Sequence, residues 1–240
     1  MRRATAVKQS FGRIDPGNNM ANLVRVWDLP TRLFHWALTV CVVALVATAY
    51  IGGNAMTWHL RLGYAVMSLL LFRLVWGVVG GRWSRFSNFI YSPATLWRYL
   101  KGQGEPAHSV GHTPLGAGSV FALLGFLAVQ VVSGLMSDDE IAFAGPLTRF
   151  VSSETVGKAS WYHTQVGQWA VIGFVVLHVA AILFYTVRRH NLVRPMILGD
   201  KHLPHPAPPS RDDAVSRIAG ALLFGACIAL VAWLVNLASP

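Results

Sequence analysis

The sequence predicts an all-α integral membrane protein, a four-helix bundle with an additional C-terminal transmembrane helix. Of its 240 residues, 54% are hydrophobic and only 12% are charged, whereas a soluble domain carries about 25% charged residues. Five apolar runs are long enough to cross a bilayer, which takes about 20 helical residues. The basic residues gather in alternate loops, as they do in proteins that cross the membrane several times.

The five predicted helices cover residues 33–52, 58–79, 115–136, 161–187 and 216–237. The first follows Leu29-Pro30-Thr31, where proline restricts the chain just ahead of a helix. The tail has no apolar stretch of the kind found in a removable signal peptide, and we expect it to be mobile. The predicted organisation is a basic tail (1–24), a four-helix domain (25–201), an extended Pro- and His-rich linker (202–215) and a fifth helix with the C-terminus (216–240).

The distribution of lysine and arginine predicts the orientation in the membrane. Sixteen of these residues lie in the tail, the loop 80–114 and the connection 188–217, whereas the opposite loop 137–160 has two and the loop 53–57 has none. Basic loops face the cytoplasm, so we expect a cytoplasmic N-terminus and a periplasmic C-terminus. The net charge of +10 arises from these loops. We therefore expect membrane lipid, and no nucleic acid, as a partner.

Four histidines inside the apolar runs are the strongest indication of function: His35, His59, His163 and His178. An ionisable residue in a membrane span is costly and suggests a functional site. His163 and His178 share one predicted helix and are separated by about 22 Å of rise and an offset of about 60°, so both can face the bundle interior. The topology then places His35 and His178 near the cytoplasm, and His59 and His163 near the periplasm.

These two pairs predict two bis-histidine haem sites, one near each membrane surface. Cys41 and Cys227 each stand alone and there is no C-x-x-C-H motif, which excludes a covalently attached haem and a cysteine-bound cluster. Gly63 and Gly167 follow His59 and His163 by four residues and lie on the same helix faces. Without side chains, they would leave a flat space in which a porphyrin approaches the backbone.

Three arginines are candidate partners for the haem propionates. Arg32 precedes His35 by three residues, and Arg73 lies about 21 Å along its helix from His59, at the level of the cytoplasmic haem. Arg61 lies near the periplasmic haem, although Arg32 and Arg61 are equally suited to reach the lipid headgroups. The remaining histidines are expected to be solvated in cytoplasmic loops: His108, His112, His190, His202 and His205.

Several stretches of the chain resemble the bacterial cytochrome b561 family. They are RVWDLPTRLFHW (25–36), WHLRLGY (58–64), RLVWGVVG (73–80), GHTPLG (111–116) and His178 followed by Arg188 and Arg189. The family includes the b-type subunits of nickel–iron hydrogenases and of formate dehydrogenases. The resemblance, over residues 24–201, implies quinone-linked electron transfer in a bacterial inner membrane. It also implies a four-helix bundle with two b haems on the four histidines named above.

Our leading hypothesis is electron transfer through two b haems between a quinone pool and a redox partner. That partner would be a periplasmic c-type cytochrome or a dehydrogenase or hydrogenase subunit. A second hypothesis is oxidation or reduction of superoxide or ferric iron at the periplasmic haem, where Arg61 and Lys158 would attract an anion. A third, a proton-coupled carrier with histidine relays, is disfavoured because the predicted spans contain no Asp or Glu. No catalytic residue is predicted.

Overall fold

The computed structural model describes residues 22–238, so almost all of the predicted tail 1–24 lies outside the described part of the chain. Five of its helices are long and apolar enough to cross a membrane. This confirms the predicted all-α membrane architecture. Besides short 3-10 turns, the described residues form, in chain order, β1 (Asn22–Arg25), α1 (Leu29–Ile51), α2 (Ala55–Val79), α3 (Pro93–Leu100), α4 (Pro114–Leu135), α5 (Ser153–Trp161), a π-helix (Tyr162–Gly167), α6 (Gln168–Val187), α7 (Val193–Leu198), β2 (Asp200–Leu203) and α8 (Ala214–Ala238).

The helices begin earlier than the hydropathy predicts, because their first turns are polar. The carboxylate of Asp28 accepts a hydrogen bond from Thr31 N and caps α1, and the hydroxyl of Thr113 caps α4 in the same way. Both helices have proline in the first turn, where its missing N–H costs nothing. Hydropathy detects only the part of each helix that lies in lipid.

The fourth membrane helix is continuous from Ser153 to Val187 and includes the π-helix Tyr162–Gly167. A π turn accommodates an extra residue and is frequent at functional sites. The extra residue shifts the angle between His163 and His178 by roughly 100° from the value for an unbroken α-helix. Each of the two rings still faces a ring on a neighbouring helix, His59 in the case of His163 and His35 in the case of His178.

α2 lies at the centre of the bundle. Its buried side chains Phe72 and Trp76 pack with Phe34 of α1 and Cys227 of α8. α8 approaches closely because Gly220 contacts Pro30, and a Cβ there would lie 2.7 Å from the proline Cγ. The fifth helix is therefore part of the bundle.

One end of the bundle, which we call the capped end, is closed by short strands and by the segment before α8. β1 and β2 pair antiparallel, with Asn22 opposite Leu203. Ser210 donates from its backbone N to Arg25 O (2.7 Å) and from its hydroxyl to Val26 O (2.7 Å). Asp212 accepts from Leu29 N at 3.0 Å. The predicted linker is thus fastened to the start of α1.

Candidate functional site

The four membrane histidines form two facing pairs at opposite ends of the bundle. His35 on α1 and His178 on α6, the His35 pair, have ring centroids 6.5 Å apart. His59 on α2 and His163 in the π-helix, the His59 pair, have ring centroids 6.2 Å apart. These are the two pairs that the depths along the spans predict. The His35 pair lies towards the capped end, and the His59 pair lies towards the opposite end.

The ring separations fit an iron atom between the two imidazoles of each pair. Metal–imidazole bonds of about 2 Å place the centroids of two opposed rings roughly 6 Å apart. Among the described residues, no group of three or more His, Cys, Asp and Glu side chains could hold a metal ion. A metal at either pair would need further ligands from elsewhere, and a porphyrin supplies four nitrogens.

In the His59 pair, backbone carbonyls orient both rings. Nδ1 of His59 lies 3.0 Å from Leu45 O, and Nδ1 of His163 lies 2.9 Å from Gln130 O. Because a carbonyl oxygen only accepts, each Nδ1 carries the proton and donates it. Nε2 of each ring then keeps its lone pair for a metal, and the hydrogen bond fixes the ring direction.

The part of the chain that the structure describes provides no such orienting bond for His35. Its Nδ1 is buried and has no hydrogen-bond partner there. Its ring contacts Trp36 edge to face, with centroids 5.2 Å apart. Unlike the rings of the His59 pair, the His35 ring is positioned by packing alone.

The two glycines predicted to leave space for a porphyrin differ in the structure. No atom lies within 4 Å of the position that a Cβ on Gly63 would take, so this face is open. The space beside Gly167 is filled by Gln130 and Tyr162, and the prediction of an open face there is wrong. The reason is the π turn: the amide of Gln130 donates to His163 O at 3.0 Å and so lies across Gly167.

A cavity of about 410 Å³ adjoins the His59 pair. Both rings, Gly63 and Gly134 line it, and so does Asp138 from the loop after α4. At Gly134 a Cβ would lie 2.7 Å from Cε1 of His163, so only glycine lets α4 approach this ring closely. Sequence reasoning missed Gly134. Gly134 follows Gln130 by four residues and so lies on the same helix face, which is the sequence pattern that could have identified it.

The three predicted arginines have different surroundings. Arg61 is exposed and lies over the ring of Trp58 at 5.2 Å, as expected of a residue that reaches the headgroups. Arg32 donates to Ile197 O at 2.7 Å. Arg73 is only 3% exposed, and its Nη1 has no hydrogen-bond partner among the residues that the structure describes. Of the three, Arg73 is the cation held inside the bundle.

His112 was expected to be solvated, and this prediction is wrong. Its ring lies 4.2 Å from that of Phe89 and 4.7 Å from that of Trp27, measured between centroids. Burial, with the charge of Arg73 nearby, lowers the pKa of His112 to about 3. His108 is also buried, whereas the other loop histidines, His190, His202 and His205, are exposed as expected. Trp27 and Phe89 come from distant segments, so no local pattern reveals this contact.

The apolar bundle with facing histidine pairs is characteristic of a membrane-bound b-type cytochrome. The sequence profile of the prokaryotic cytochrome b561 family matches residues 26–199, and the chain belongs to this family. It is accordingly a multi-pass bacterial membrane protein that transfers electrons through b-type haem.

Similar curated proteins are named as probable Ni/Fe-hydrogenase B-type cytochrome subunits. The one from Azotobacter vinelandii is 29% identical, over 73% of this chain and 87% of its own length. Those from Cupriavidus necator and Bradyrhizobium diazoefficiens are 26% and 24% identical, over 82% and 74% of this chain and 94% and 85% of their own lengths. No solved structure matches the chain significantly.

Proposed function

We propose that this protein carries electrons through two b haems between a quinone pool and a redox partner protein. The observation that carries the proposal is the pair of facing histidine sets, with ring separations of 6.5 and 6.2 Å at opposite ends of one bundle. His35 and His178 would hold one haem, and His59 and His163 the other. Each bound haem supplies one-electron redox chemistry, and the protein supplies ligands and surroundings.

The interior between the two pairs favours electron transfer over proton transfer. Val66 and Leu70 of α2 pack there against Leu127 of α4 and Val171 of α6, and all four are buried. All four side chains are apolar, and none of them can relay a proton. The hypothesis of a proton-coupled carrier therefore gains no support.

The capped end would face the cytoplasm, and the His59 pair the periplasm. Arg25, Arg32, Arg211 and Arg217 all lie at the capped end, as the preference of basic residues for the cytoplasmic side requires. The redox partner would then dock near the His59 pair. The names of the relatives favour a hydrogenase subunit as this partner, and a periplasmic c-type cytochrome or another dehydrogenase subunit is the alternative.

Direct chemistry on superoxide or ferric iron has weaker support. The two cations expected to attract an anion are engaged elsewhere: Lys158 pairs with Glu154 at 2.6 Å, and Arg61 lies on Trp58. Asp138 and Asp139 line the cavity beside the His59 pair. Their negative charge opposes the approach of superoxide.

The proposal is tested by purifying the protein in detergent and recording the reduced-minus-oxidised spectrum with a chemical count of haem. We expect b-type bands, two haems per chain and complete reduction by a quinol. One haem per chain would overturn the dihaem assignment. Two haems that a quinol does not reduce, while dithionite does, would overturn the link to the quinone pool.

A further inference from the structure

Three side chains from distant segments come together at the capped end, near the His35 pair. They are Arg73 of α2, His112 from the loop before α4, and Lys201 of β2. The guanidinium of Arg73 lies 4.4 Å from the ring centroid of Phe86, which lies 5.8 Å from that of Phe89, and the ring of Phe89 lies 4.2 Å from that of His112. Lys201 donates to Val110 O, two residues before His112. His112 is also within electrostatic range of His35. The cap therefore adds one cation, Lys201, and one further nitrogen donor, His112, to the cation that α2 already holds there.

Two of these three side chains have buried nitrogen atoms without a partner. Within residues 22–238, Nη1 of Arg73 makes no hydrogen bond, and the buried Nδ1 of His112 makes none either. Lys201 donates to the backbone carbonyls of Ser109 and Val110, which leaves one of its three N–H bonds for another acceptor. The region thus presents N–H donors without matching acceptors.

The nearby carboxylate does not satisfy these donors. Asp28 is fully buried and faces Arg73, but it forms no ion pair with it among the described residues. Its oxygens accept instead from four other donors: Thr31 N, Trp76 Nε1, Gly81 N and Ser84 Oγ. The other acids of the cap, Asp200 and Asp212, pair with arginines. A buried cation without a close partner is costly, so the region suits an anionic ligand.

We propose that Arg73, His112 and Lys201 bind a propionate carboxylate of the haem held by the His35 pair. This inference rests on the proposed function, which supplies the haem. Arg73 and Lys201 contribute positive charge, and neutral His112 contributes an N–H donor. The cap, including β2, is then part of the cofactor site, and two of the three propionate-binding residues lie outside the membrane helices.

The test compares haem b with its dimethyl ester, whose propionates carry no charge. Apo-protein is loaded with either porphyrin, and the loss of haem from the His35 site to excess apomyoglobin is timed. The variants are Lys201→Gln and His112→Phe, the second of which keeps the aromatic packing. The control is His202→Gln, because His202 neighbours Lys201 on β2 but is exposed.

We expect both variants to lose haem b about ten-fold faster than the unmodified protein, the effect of one lost charge-assisted hydrogen bond. Both variants should lose the dimethyl ester at the same rate as the unmodified protein. The His202→Gln control should lose each porphyrin at the unmodified rate. Equal acceleration for both porphyrins would show that the residues only support the fold, and unchanged rates would exclude contact with the propionate. An unmodified protein with no haem at the His35 site would overturn the proposed function together with this inference.

Discussion

The two histidine pairs have almost the same ring separation but very different surroundings. Backbone carbonyls of Leu45 and Gln130 orient the rings of the His59 pair. Around the His35 pair, the ring of His35 has no such bond among the described residues, and the nearby group is the imidazole of His112, which packs against Trp27 and Phe89. Hydrogen bonds to the imidazole rings thus organise the His59 pair, whereas the His35 pair is organised by the side chains packed beside it. Two similar sites in one bundle need not be built in the same way.

Loss of a whole haem is the largest effect that distinguishes the pairs. We expect His35→Ala and His178→Ala to remove one and the same haem, and His59→Ala and His163→Ala to remove the other. Each variant would keep about half of the haem absorbance, because each site needs both of its axial ligands. Spectra of the reduced proteins measure this, with His190→Ala as the exposed control. If His35→Ala and His59→Ala removed the same haem, the pairing would be wrong.

Filling the open face beside Gly63 should affect only the His59 pair. We expect Gly63→Leu to strip that haem and to leave the one at the His35 pair, since the added side chain occupies the space assigned to the porphyrin. Overpacking of this kind costs about 1–3 kcal/mol. Gly225→Leu is the matched control, because Gly225 also has no atom within 4 Å of its Cβ position but lies on α8, which carries no histidine. Normal haem content in Gly63→Leu would show that Gly63 does not adjoin the haem of the His59 pair.

The two haems should differ in reduction potential by roughly 60 mV or more, a tenfold change for a one-electron couple. Donation from Nδ1 to a carbonyl makes an imidazole more basic and favours the oxidised iron. The buried cations of the capped end favour the reduced iron. We therefore expect the lower potential at the His59 pair. Redox titration of the single-haem variants assigns the potentials, and the reverse order would contradict this account of the two sites.

The smallest effect concerns pH at the capped end. The pKa of His112 is about 3 in the folded protein, against an ordinary value of 6.5, so the unfolded chain binds the proton more readily. The contribution of neutral His112 to the free energy of unfolding is therefore complete above pH 6.5, and it is lost as the pH falls towards 3. Thermal unfolding in detergent should therefore show a smaller loss of Tm between pH 7 and pH 4 for His112→Phe. An identical pH dependence in both proteins would mean that His112 does not titrate on unfolding.

The features predicted correctly depend on local sequence. Hydropathy identifies the five membrane helices, and the depth of each histidine along its span identifies its partner ring. The features missed depend on contacts between distant segments. His112 packs against Trp27 and Phe89, and the segment before α8 is held by Ser210. The π turn was also missed, and it too includes a contact with another helix, in which Gln130 donates to His163 O.

The helix from Ser153 to Val187 is continuous and carries one ligand of each pair, His163 and His178. Any rotation or shift of this helix along its axis moves both ligands at once. The first haem to bind therefore fixes the position of the helix for the second, and the two sites should assemble cooperatively. Titration of the apo-protein with haem would then yield few half-filled chains, and an abundant one-haem species would show that the sites fill independently.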